Sequence, residues 1–595
     1  MCGVFGIVGE YSPSLARSAL ATLRHRGKDH CGIVEEKNLF LAHHRLSITD
    51  HHHRSHQPLA HQRLLLSFNG EIYNHKTLRN TLSHFPWKTS SDAEVILAAY
   101  QRWGIGCLDH LEGMFAFALL DGHKLYLVRD RFGKKPMFYY ASPKRFVFAS
   151  EIKALKPFLP SVTMNDNALR SYLSFLAPTP PHTFYEGIEK LESGEYLCWE
   201  EGHFTKHSYY SIANAPRKVS TASLETLLHE SIAKRLDTHV PTAALLSGGI
   251  DSAMICAIAK AQGNHLPTFT LGYEGFKGYD ERPNAKATAD YLGLHNTQVI
   301  LSQDDFEAHL DTVLTQMDEP LNDPAALPLY LLMERIAHEG YKVVLSGEGS
   351  DELFLGYRQY FEYLDIEQAS TLGHKNWLKR YFHQNFSMNR EWEWYKRIFE
   401  ESLLFRTSGE KFTDTQQNLL FRRTIRDNES LGFLHPYRHH FDHSIYTHPS
   451  HWYSMIDLKL FVAEHFLTKL DRMSMAHTLE ARAPFLDHRF AEAVFGLPHE
   501  TRLGSGGTKF LLKEIGKNYL SPEILGRKKK GFANPYMEWL IASDRLKLIQ
   551  EVNNTTGLFH PKELQNYLNM GRQGKFKQHV WGLYVLSHWI KRELL

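Results

Sequence analysis

The chain of 595 residues lacks the features that would place it at a membrane or on nucleic acid. It has no apolar run near the roughly 18–20 residues of a membrane span. Its 68 basic and 66 acidic residues give a net charge of +2, so no overall field attracts nucleic acid or an anionic bilayer. The opening residues also lack the charged and long apolar stretches of a signal peptide. We therefore expect a cytoplasmic protein with neither a nucleic-acid nor a membrane partner.

Cysteine is also scarce, and the sequence has no internal repeat. The five cysteines, at positions 2, 31, 107, 198 and 256, form no CxxC pair, which is typical of reduced thiols in a cytosol. Histidine is abundant, with 37 residues, but neither the run His51–His53 nor the cluster around His439 has a Cys or carboxylate at structural-zinc spacing. These histidines therefore give little support for a metal site.

The part of the sequence before residue 209 has many short alternating strands. Residues 64–68, 125–128 and 145–149 alternate apolar and polar side chains between turns, and residues 91–103 have a helical pattern that Ser91 can cap. This predicts an α+β domain of stacked antiparallel sheets over residues 2–208. Residues 209–221 are small, polar and proline-containing, which predicts a linker.

From residue 222 onward, predicted helices alternate with predicted strands. Helices at 223–236 and 252–262 flank a strand at 242–246, and further strands follow at 268–271 and 342–345. Alternation of this kind predicts a parallel sheet covered by helices, so the chain as a whole is α/β. Residues 360–450 have helical patterns and carry no recognisable motif.

Cys2 is the first candidate for chemistry. Aminopeptidases remove an initiator methionine when the next residue is small, and Cys is small. The mature chain would then begin with a cysteine whose α-amine has an ordinary pKa of about 7.7–8.0. Such an amine can take the proton of its own thiol, which makes Cys2 a candidate nucleophile. The alternative is a cysteine that happens to lie second in a buried strand.

A glycine-containing loop follows the strand at 242–246. The run Ser247-Gly248-Gly249-Ile250-Asp251-Ser252 joins a strand to a helix, where free backbone N–H groups and hydroxyls can hold a phosphate. It is not a Walker A loop. Because Asp251 would repel a bare phosphate, its position predicts a bridging Mg²⁺. An ordinary strand–helix turn is the alternative.

A second acidic loop, Ser346-Gly347-Glu348-Gly349-Ser350-Asp351-Glu352, follows the strand at 342–345. Parallel strands end at the same edge of a sheet, where ligands bind. Asp251 and Asp351 are therefore predicted to share one Mg²⁺. The alternative for Asp351 and Glu352 is a charge pair at a helix N-terminus.

These motifs, with several others, resemble two domains of known families. The glutaminase domain of class II amidotransferases is similar at Cys2-Gly3, Arg24-His25-Arg26-Gly27, Arg45-Leu46-Ser47-Ile48, Asn69-Gly70-Glu71-Ile72-Tyr73-Asn74 and Ser91-Asp92. The synthetase domain of glutamine-hydrolysing asparagine synthetases is similar at 247–252, 346–352, Leu470-Asp471-Arg472-Met473-Ser474-Met475 and Arg482-Ala483-Pro484-Phe485-Leu486-Asp487. The order of the motifs is that of the family, and only residues 360–450 are poorly covered.

The resemblance implies a fold. Residues 2–208 would form a four-layer sandwich of the N-terminal-nucleophile (Ntn) hydrolase type. Residues 222–595 would form a Rossmann-like, parallel-sheet ATP-pyrophosphatase domain with extra helices. It also implies a homodimer.

The resemblance further implies roles for the first-domain residues. Cys2 would attack the carboxamide of glutamine, and Asn69 with the Gly70 N–H would form the oxyanion hole. Arg45 would hold the α-carboxylate of glutamine, while Glu71 and Asp92 take its α-ammonium. The released ammonia would cross an internal channel to the second site.

For the second domain, the resemblance implies that ATP adenylates an acceptor carboxylate. Leu246 and Leu271 match positions that line the adenine site, and Glu348 matches the carboxylate tied to forming and aminating the acyl-adenylate. ATP-binding residues would further include Ser247, Gly248, Gly249, Asp251, Ser252, Ser346 and Gly347. Lys529, in the basic run 527–530, would contact the pyrophosphate, although such runs are usually solvated faces.

Two departures bear on the acceptor. Lys28 replaces a proline that is usual in the family, which we interpret as a local turn change. Residues 318–328 (DEPLNDPAALP) replace a Thr/Arg-rich segment and resemble a branch that includes aspartate-specific enzymes and also amidotransferases for sugars, peptides and antibiotics. The leading hypothesis is synthesis of asparagine from aspartate. The alternatives are another carboxylate acceptor, an amidase that uses only the first domain, and a non-catalytic protein with a decayed site.

Overall fold

Seventeen strands, numbered in chain order, form three sheets in the computed structural model, which describes residues 2–218, 220–368, 390–400, 402–421, 429–505, 507–528 and 533–595. The strands are β1 Gly3–Gly9, β2 His30–Glu36, β3 Leu39–Arg45, β4 Leu59–His61, β5 Leu64–Ile72, β6 Gly113–Asp121, β7 Lys124–Arg129, β8 Phe138–Ser142, β9 Arg145–Ala149, β10 Ile188–Lys190, β11 Glu195–Glu200, β12 His203–Ser208, β13 Thr242–Leu245, β14 Thr268–Tyr273, β15 Asn296–Leu301, β16 Val343–Leu345 and β17 Glu480–Arg482.

The first two sheets are antiparallel and have six strands each. Their orders are β10-β8-β9-β1-β3-β2 and β12-β11-β7-β6-β5-β4. Between them lies an apolar layer that includes Val4, Ala116 and Phe148, because alternate residues of each strand point inward. Helix Pro13–Ala21 covers the outer face of one sheet, and helix Ala93–Trp103 covers that of the other. This is the predicted four-layer sandwich.

The third sheet is parallel, with the order β15-β14-β13-β16-β17. Strand β13 is central, and the loops that follow β13 and β16 leave the same edge of the sheet. The predicted Rossmann-like arrangement is thus confirmed. The sequence analysis did not predict β15 or β17. Strand β17 has only three residues and pairs with β16 through Leu345 and Arg482.

Helices make up most of the remaining described structure. The α-helices are Pro13–Ala21, His75–Thr81, Ala93–Trp103, Asp166–Phe175, Leu224–Leu236, Ile250–Ala261, Arg282–Leu292, Gln303–Gln316, Ala326–His338, Ser350–Leu353, Arg358–Gln368, Arg390–Phe399, Asp414–Leu420, Glu429–Gly432, His435–Asp442, Pro449–Ile456, Leu467–Ala476, His488–Phe495, His499–Leu503, Phe510–Gly516, Pro522–Leu525, Tyr536–Ala542, Lys547–Thr556, Pro561–Arg572 and Lys577–Glu593, and Asp457–Phe466 is a π-helix. Within the described ranges, none of these helices is both long and apolar enough to cross a bilayer.

The segment between the antiparallel sheets and the parallel sheet is packed rather than extended into solvent. Ile212–Asn214 forms a short 3-10 helix, and Ile212 and Ala213 are buried. The Tyr209 hydroxyl donates a hydrogen bond to the carbonyl of Arg129 at 2.9 Å. The Tyr446 hydroxyl in the C-terminal half donates to the carbonyl of Ala215 at 2.7 Å, so the predicted linker contacts both halves of the chain.

Candidate functional site

Cys2 is buried just before β1, beside the predicted oxyanion residue. The Cys2 nitrogen donates a hydrogen bond to Oδ1 of Asn69 at 2.9 Å, which orients the Asn69 amide. The Nδ2 atom of Asn69 is buried and has no hydrogen-bond partner among the residues that the structure describes. Burial raises the pKa of the Cys2 thiol, so the thiol is protonated at neutral pH and needs a base before it can attack. A potential nucleophile and an oriented amide donor are therefore adjacent.

Gly70, the next residue in β5, lies against the neighbouring strand β6. A Cβ atom built on Gly70 would lie 2.1 Å from the carbonyl oxygen of Met114 and 2.8 Å from Cα of Phe115. Both are backbone atoms, so a larger residue would force the two strands apart. Glycine at this position keeps Asn69 and Glu71 in register with β6.

Arg45 is buried at the end of β3 with one half of its guanidinium held in place. Its Nη2 atom donates to the carbonyls of Thr49 (3.1 Å) and Asp50 and to the Ser55 hydroxyl (2.9 Å). Its Nη1 atom is buried without a hydrogen-bond partner in the described part of the chain. A planar donor fixed on one side and unpartnered on the other is suited to a ligand carboxylate.

Glu71 and Asp92 bring two buried carboxyl groups to the same place. Asp92 accepts hydrogen bonds from the Ile72 backbone N–H and the Thr49 hydroxyl, both at 2.9 Å, which ties it to β5 and to the turn that holds Arg45. Burial and the charge of Asp92 raise the pKa of Glu71 well above its ordinary value. Paired buried carboxyl groups favour a cation between them. We call Cys2, Arg45, Asn69, Gly70, Glu71 and Asp92 the Cys2 site.

The loop after β13 is held in shape by its own hydrogen bonds. The Ser247 N–H donates to Oγ of Ser252 at 3.0 Å, and the Gly249 N–H donates to Oγ of Ser247 at 3.1 Å. A Cβ on Gly248 would lie 2.9 Å from Cβ of Asn284, so the loop passes close to a neighbouring helix. The following helix begins at Ile250, two residues earlier than predicted, and its N-terminus lies at this loop.

Asp251 and Asp351, predicted to share a cation, are both paired with Lys509. The Lys509 ammonium binds Oδ2 of Asp251 and lies 2.8 Å from Oδ1 of Asp351. The two loops adjoin, because a Cβ on Gly347 would lie 3.1 Å from Cβ of Asp251, and the Ser350 hydroxyl donates to Asp251 at 2.6 Å. Two carboxylates that already hold one cation provide the hard oxygen ligands that Mg²⁺ prefers.

Lys509 was missed by the sequence analysis. It is a lone lysine before the apolar run 510–512, which is a weaker signal than the basic run at 527–530. Its backbone has a φ of +57°, a left-handed conformation that costs a lysine about 1–2 kcal/mol. Strain of this kind concentrates at functional positions. Lys529, the residue that the sequence favoured, lies outside the described residues.

The remaining predicted residues line the same edge of the parallel sheet. Leu246, directly after β13, and Leu271, on the neighbouring strand β14, are buried, and the Leu246 N–H donates to the carbonyl of Phe269 at 2.9 Å. The Ser346 N–H donates to the carbonyl of Arg482 at 2.9 Å. We call the loops 246–252 and 346–351, with Leu271 and Lys509, the two-loop site.

Glu348, in the second loop, is partly exposed and lies close enough to Glu352 to affect its ionisation. Burial, together with the charges of Asp457 and Glu348, raises the pKa of Glu352 to about 8. The Tyr357 hydroxyl donates to Glu352 at 2.7 Å. The carboxyl group of Glu352 is therefore protonated at neutral pH.

A small cavity lies at the interface between the two halves of the chain. Its lining includes Met114, the register partner of Glu71, together with Leu470 and Ala481 from the C-terminal part and the buried lysines Lys134 and Lys135. Burial lowers the pKa of Lys134 to about 7, and its ammonium contacts two backbone carbonyls rather than a carboxylate. Burial lowers the pKa of Lys135 as well, so two amines of lowered basicity line this cavity.

Buried ion pairs join the two halves around this cavity. Arg26 donates to Glu151 at 2.6 Å and to Asp471 at 2.8 Å, and also to the Cys2 carbonyl at 3.0 Å. The unusual segment 318–328 contributes Asp318, whose carboxylate accepts a hydrogen bond across the interface from the Ile152 N–H at 2.9 Å. The sequence of this segment resembles one branch of the family. The structure gives it a role at the interface as well.

In the parts of the chain that the structure describes, no group of three or more His, Cys, Asp or Glu side chains is arranged to hold a metal ion. The five cysteines are all unpaired.

Comparisons with known proteins give matches along almost the whole chain. Residues 223–591 match the family model described as asparagine synthase, and residues 1–210 match that of the glutamine amidotransferase domain. Asparagine synthetase (glutamine-hydrolysing) 1 of Bacillus subtilis is 30% identical over 91% of this chain and 88% of its own length. The third such enzyme of that organism is 27% identical over 89% and 87%. An amidase of Penicillium rubens is 27% identical over 88% and 84%.

Proposed function

Because the chain belongs to the asparagine synthase family, we propose that this glutamine-dependent carbon–nitrogen ligase makes asparagine from aspartate through β-aspartyl-AMP. In this proposal residues 2–208 hydrolyse glutamine, residues 209–221 are a linker and residues 222–595 perform synthesis. The observation that carries it is the hydrogen bond between the Cys2 nitrogen and Asn69, which leaves the Asn69 amide nitrogen as a buried donor beside the thiol. We also propose a cytoplasmic homodimer.

Glutamine hydrolysis would use the groups of the Cys2 site. Once the initiator methionine is removed, the α-amine of Cys2 takes the thiol proton and Sγ attacks the carboxamide carbon of glutamine. Asn69 Nδ2 and the Gly70 N–H stabilise the oxyanion. As the C–N bond breaks, the amine returns the proton to the leaving nitrogen, which departs as ammonia. Water then hydrolyses the glutamyl thioester to glutamate and regenerates the thiol.

Recognition of glutamine would follow from the charges around Cys2. The unpartnered Nη1 of Arg45 faces the α-carboxylate, while the carboxyl groups of Glu71 and Asp92 receive the α-ammonium. Binding of that ammonium favours the ionised form of Glu71, which burial otherwise disfavours. The site would therefore select an amino acid over a simple amide.

Synthesis would take place at the two-loop site, with ATP as a substrate. A carboxylate oxygen of aspartate attacks the α-phosphorus, pyrophosphate leaves, and ammonia then attacks the acyl carbon and displaces AMP. Glu348 takes the proton that ammonia loses. Ser247, Ser252 and the backbone of Gly248 and Gly249 hold the phosphates, and Lys509 and Lys529 neutralise the leaving pyrophosphate.

The adenine ring would lie against Leu246 and Leu271, and the loop from Ser346 to Gly347 would close the other side of the nucleotide. Asp251 and Asp351 would hold Mg²⁺, which supplies charge neutralisation for the phosphates when it is bound. Their pairing with Lys509 supports this assignment, because the same two carboxylates already face one positive charge.

A second acceptor class remains the alternative. The relative from Penicillium is named an amidase, and segment 318–328 resembles a branch with varied acceptors. A sugar acid, a peptide or a secondary metabolite carboxylate would use the same adenylation chemistry. The two hypotheses differ in the acceptor alone.

A labelled-amide experiment separates these functions. The purified protein is incubated with amide-¹⁵N glutamine, ATP and Mg²⁺ and a panel of carboxylates, and AMP, pyrophosphate and product mass are measured. We expect ¹⁵N-asparagine from aspartate, with AMP and pyrophosphate formed in equal amounts. Pyrophosphate formation with another acid but not with aspartate would support the alternative acceptor. Glutamate without pyrophosphate under every condition would make the protein an amidase.

A further inference from the structure

Arg482 contacts both candidate sites. It is fully buried on β17, the edge strand of the parallel sheet, which packs against the antiparallel sheets. On its side-chain end, Nη2 lies 3.4 Å from Oε2 of Glu71 in the Cys2 site. On its backbone end, the carbonyl accepts a hydrogen bond from the Ser346 N–H at 2.9 Å, at the start of the second loop of the two-loop site. A single residue thus spans the two sites.

The Arg482 side chain is held firmly on one side and loosely on the other. Its Nε donates to Oε1 of Glu480 at 2.7 Å, and Nη1 donates to the carbonyl of Arg235 at 2.8 Å. Nη2 makes no aligned hydrogen bond to any described residue, although it lies at ion-pair distance from Glu71. The contact with Glu71 is therefore the weakest of the three, and it is the one that can change without breaking the others.

Opposing interactions determine whether Glu71 is ionised. Burial and the nearby Asp92 favour the neutral carboxyl group, and Arg482 opposes them. A ligand ammonium placed between Glu71 and Asp92 would supply part of the positive charge that Arg482 otherwise supplies to Glu71. The balance between Glu71 and Glu480 as partners of the guanidinium then depends on whether the pocket holds a ligand.

We propose that Arg482 is a positioning residue that couples glutamine binding to the nucleotide loop. When the α-ammonium of glutamine pairs with Glu71, the guanidinium moves towards Glu480, and its backbone carbonyl re-orients Ser346 and the loop that carries Glu348. The inference rests on the proposed function of the Cys2 site. Because coupling between binding sites is reciprocal, ligands at the two-loop site favour glutamine binding in turn, and the resulting ratio of kcat/KM values for glutamine hydrolysis serves as the coupling factor.

The experiment measures this coupling factor. Glutamine hydrolysis is followed with and without saturating ATP, Mg²⁺ and aspartate, and the ratio of the two values of kcat/KM for glutamine is the factor. For the wild-type protein we expect a factor of at least about five, at the lower end of allosteric couplings. Arg482→Gln removes the charge, and we expect its factor to fall to within about twofold of one. Arg482→Lys keeps the charge but lacks the fork, so we expect an intermediate factor, with the change mainly in KM.

Arg489→Gln is the matched control. Arg489 also crosses between the two halves, where its Nε lies 3.5 Å from Glu112, but it is partly exposed and touches neither site. Its coupling factor should equal that of the wild type. If Arg482→Gln does not fold, Arg482→Lys decides the question.

Two outcomes would overturn the proposal: a wild-type factor of one, or an unchanged factor in Arg482→Lys or in Arg482→Gln. Absence of glutamine hydrolysis by the wild-type protein would instead overturn the proposed function of the Cys2 site.

Discussion

The Cys2 site and the two-loop site differ in how their polar atoms are satisfied. Asn69 Nδ2 and Arg45 Nη1 are buried and have no protein partner within the described residues. In the two-loop site, Asp251 and Asp351 are both paired with Lys509. The first site is thus a rigid set of donors built on strands, while the second is a set of charges on loops that partner one another.

This difference has an energetic reason. A buried donor without a partner costs roughly 1–3 kcal/mol, so the Cys2 site is stabilised by any ligand that supplies the missing acceptors. The carboxylates of the two-loop site would instead repel each other without a cation between them. Lys509 provides that cation. A ligand must therefore rearrange the contacts of Lys509 with Asp251 and Asp351, because these carboxylates are already paired. We therefore expect substitutions in the first site to act on glutamine alone and those in the second to act on every synthetic reaction.

The largest expected effect is that of Cys2→Ala. The substitution removes the nucleophile, so glutamine hydrolysis and glutamine-dependent synthesis should be lost completely. Synthesis from added ammonia should continue at nearly the wild-type rate, because the two-loop site is unchanged. The assay is product formation with each nitrogen source. Cys31→Ala, which alters an exposed cysteine, is the control. Equal loss of both activities would show that the two sites are not separate in chemistry.

Glu348→Gln should have the next largest effect, and its pattern should be the opposite. Loss of a general base typically lowers the rate about 10²–10⁴-fold, and we expect this loss with glutamine and with ammonia alike. Glutamine hydrolysis should persist. Formation of AMP and pyrophosphate without amide would place Glu348 at the amination step, and loss of both would place it at adenylation. Synthesis at the wild-type rate would remove Glu348 from the mechanism.

Asp251→Asn and Asp351→Asn should each lower AMP formation by at least about 10²-fold, because even the residues that support metal ligands contribute about 10–100-fold. Each substitution removes a hard anionic ligand for Mg²⁺ and one partner of Lys509. A titration of activity against Mg²⁺ should show a higher half-saturating concentration for both variants. Glutamine hydrolysis measured without ATP is the internal control. An unchanged Mg²⁺ requirement in either variant would exclude that residue as a ligand.

Arg45→Lys should weaken the Cys2 site by a smaller amount. A lysine keeps the charge but cannot contact Thr49, Ser55 and a ligand carboxylate at once, because it lacks the planar fork. The loss of one charged hydrogen bond, about 1.5–3 kcal/mol, predicts a decrease in kcat/KM for glutamine of about 10–100-fold. Most of the change should be in KM. Ammonia-dependent synthesis should not change, and a parallel fall in it would mean that Arg45 acts on the structure of both halves.

Sequence patterns predicted the parts of both sites that lie close together in the chain. Asn69, Gly70 and Glu71 are consecutive in β5, and the loops at 247–252 and 346–352 follow strands with clear apolar runs. The roles of the first three residues come from the resemblance to class II amidotransferases, whereas the two loops were predicted from the strands that precede them. The alternation of strands and helices was likewise sufficient to predict the parallel sheet.

The missed features depend on contacts between distant segments. Lys509 lies 258 residues from Asp251 in the chain. Nothing in the sequence around Lys509 indicates that it is the partner of Asp251 and Asp351. Strand β17 has three residues, too few for an alternating pattern, and its pairing with β16 comes from tertiary packing. Helix Ala93–Trp103 begins two residues after Ser91, whose hydroxyl accepts a hydrogen bond from the Ala93 N–H at 3.2 Å.

The smallest expected effect is on the pH dependence of folding stability. It concerns Glu352, directly after the second loop of the two-loop site, and separates the stability of this region from its chemistry. Burial raises the pKa of Glu352 to about 8, so the folded protein binds this proton more tightly than the unfolded chain does. The stability from this group is fully present below the unfolded pKa and is lost as the pH rises through about 8.

Glu352→Gln keeps an acceptor for the Tyr357 hydroxyl without a titrating group. The variant should therefore lose less stability than the wild type between pH 6 and pH 8.5, with each unit of pH worth at most about 1.4 kcal/mol. Thermal unfolding at the two pH values measures this, and we expect the wild type to lose a few degrees more in Tm. Glu362→Gln, at a partly exposed position on the next helix, should keep the wild-type pH dependence. Identical pH profiles for Glu352→Gln and the wild type would mean that Glu352 is ionised in the folded protein.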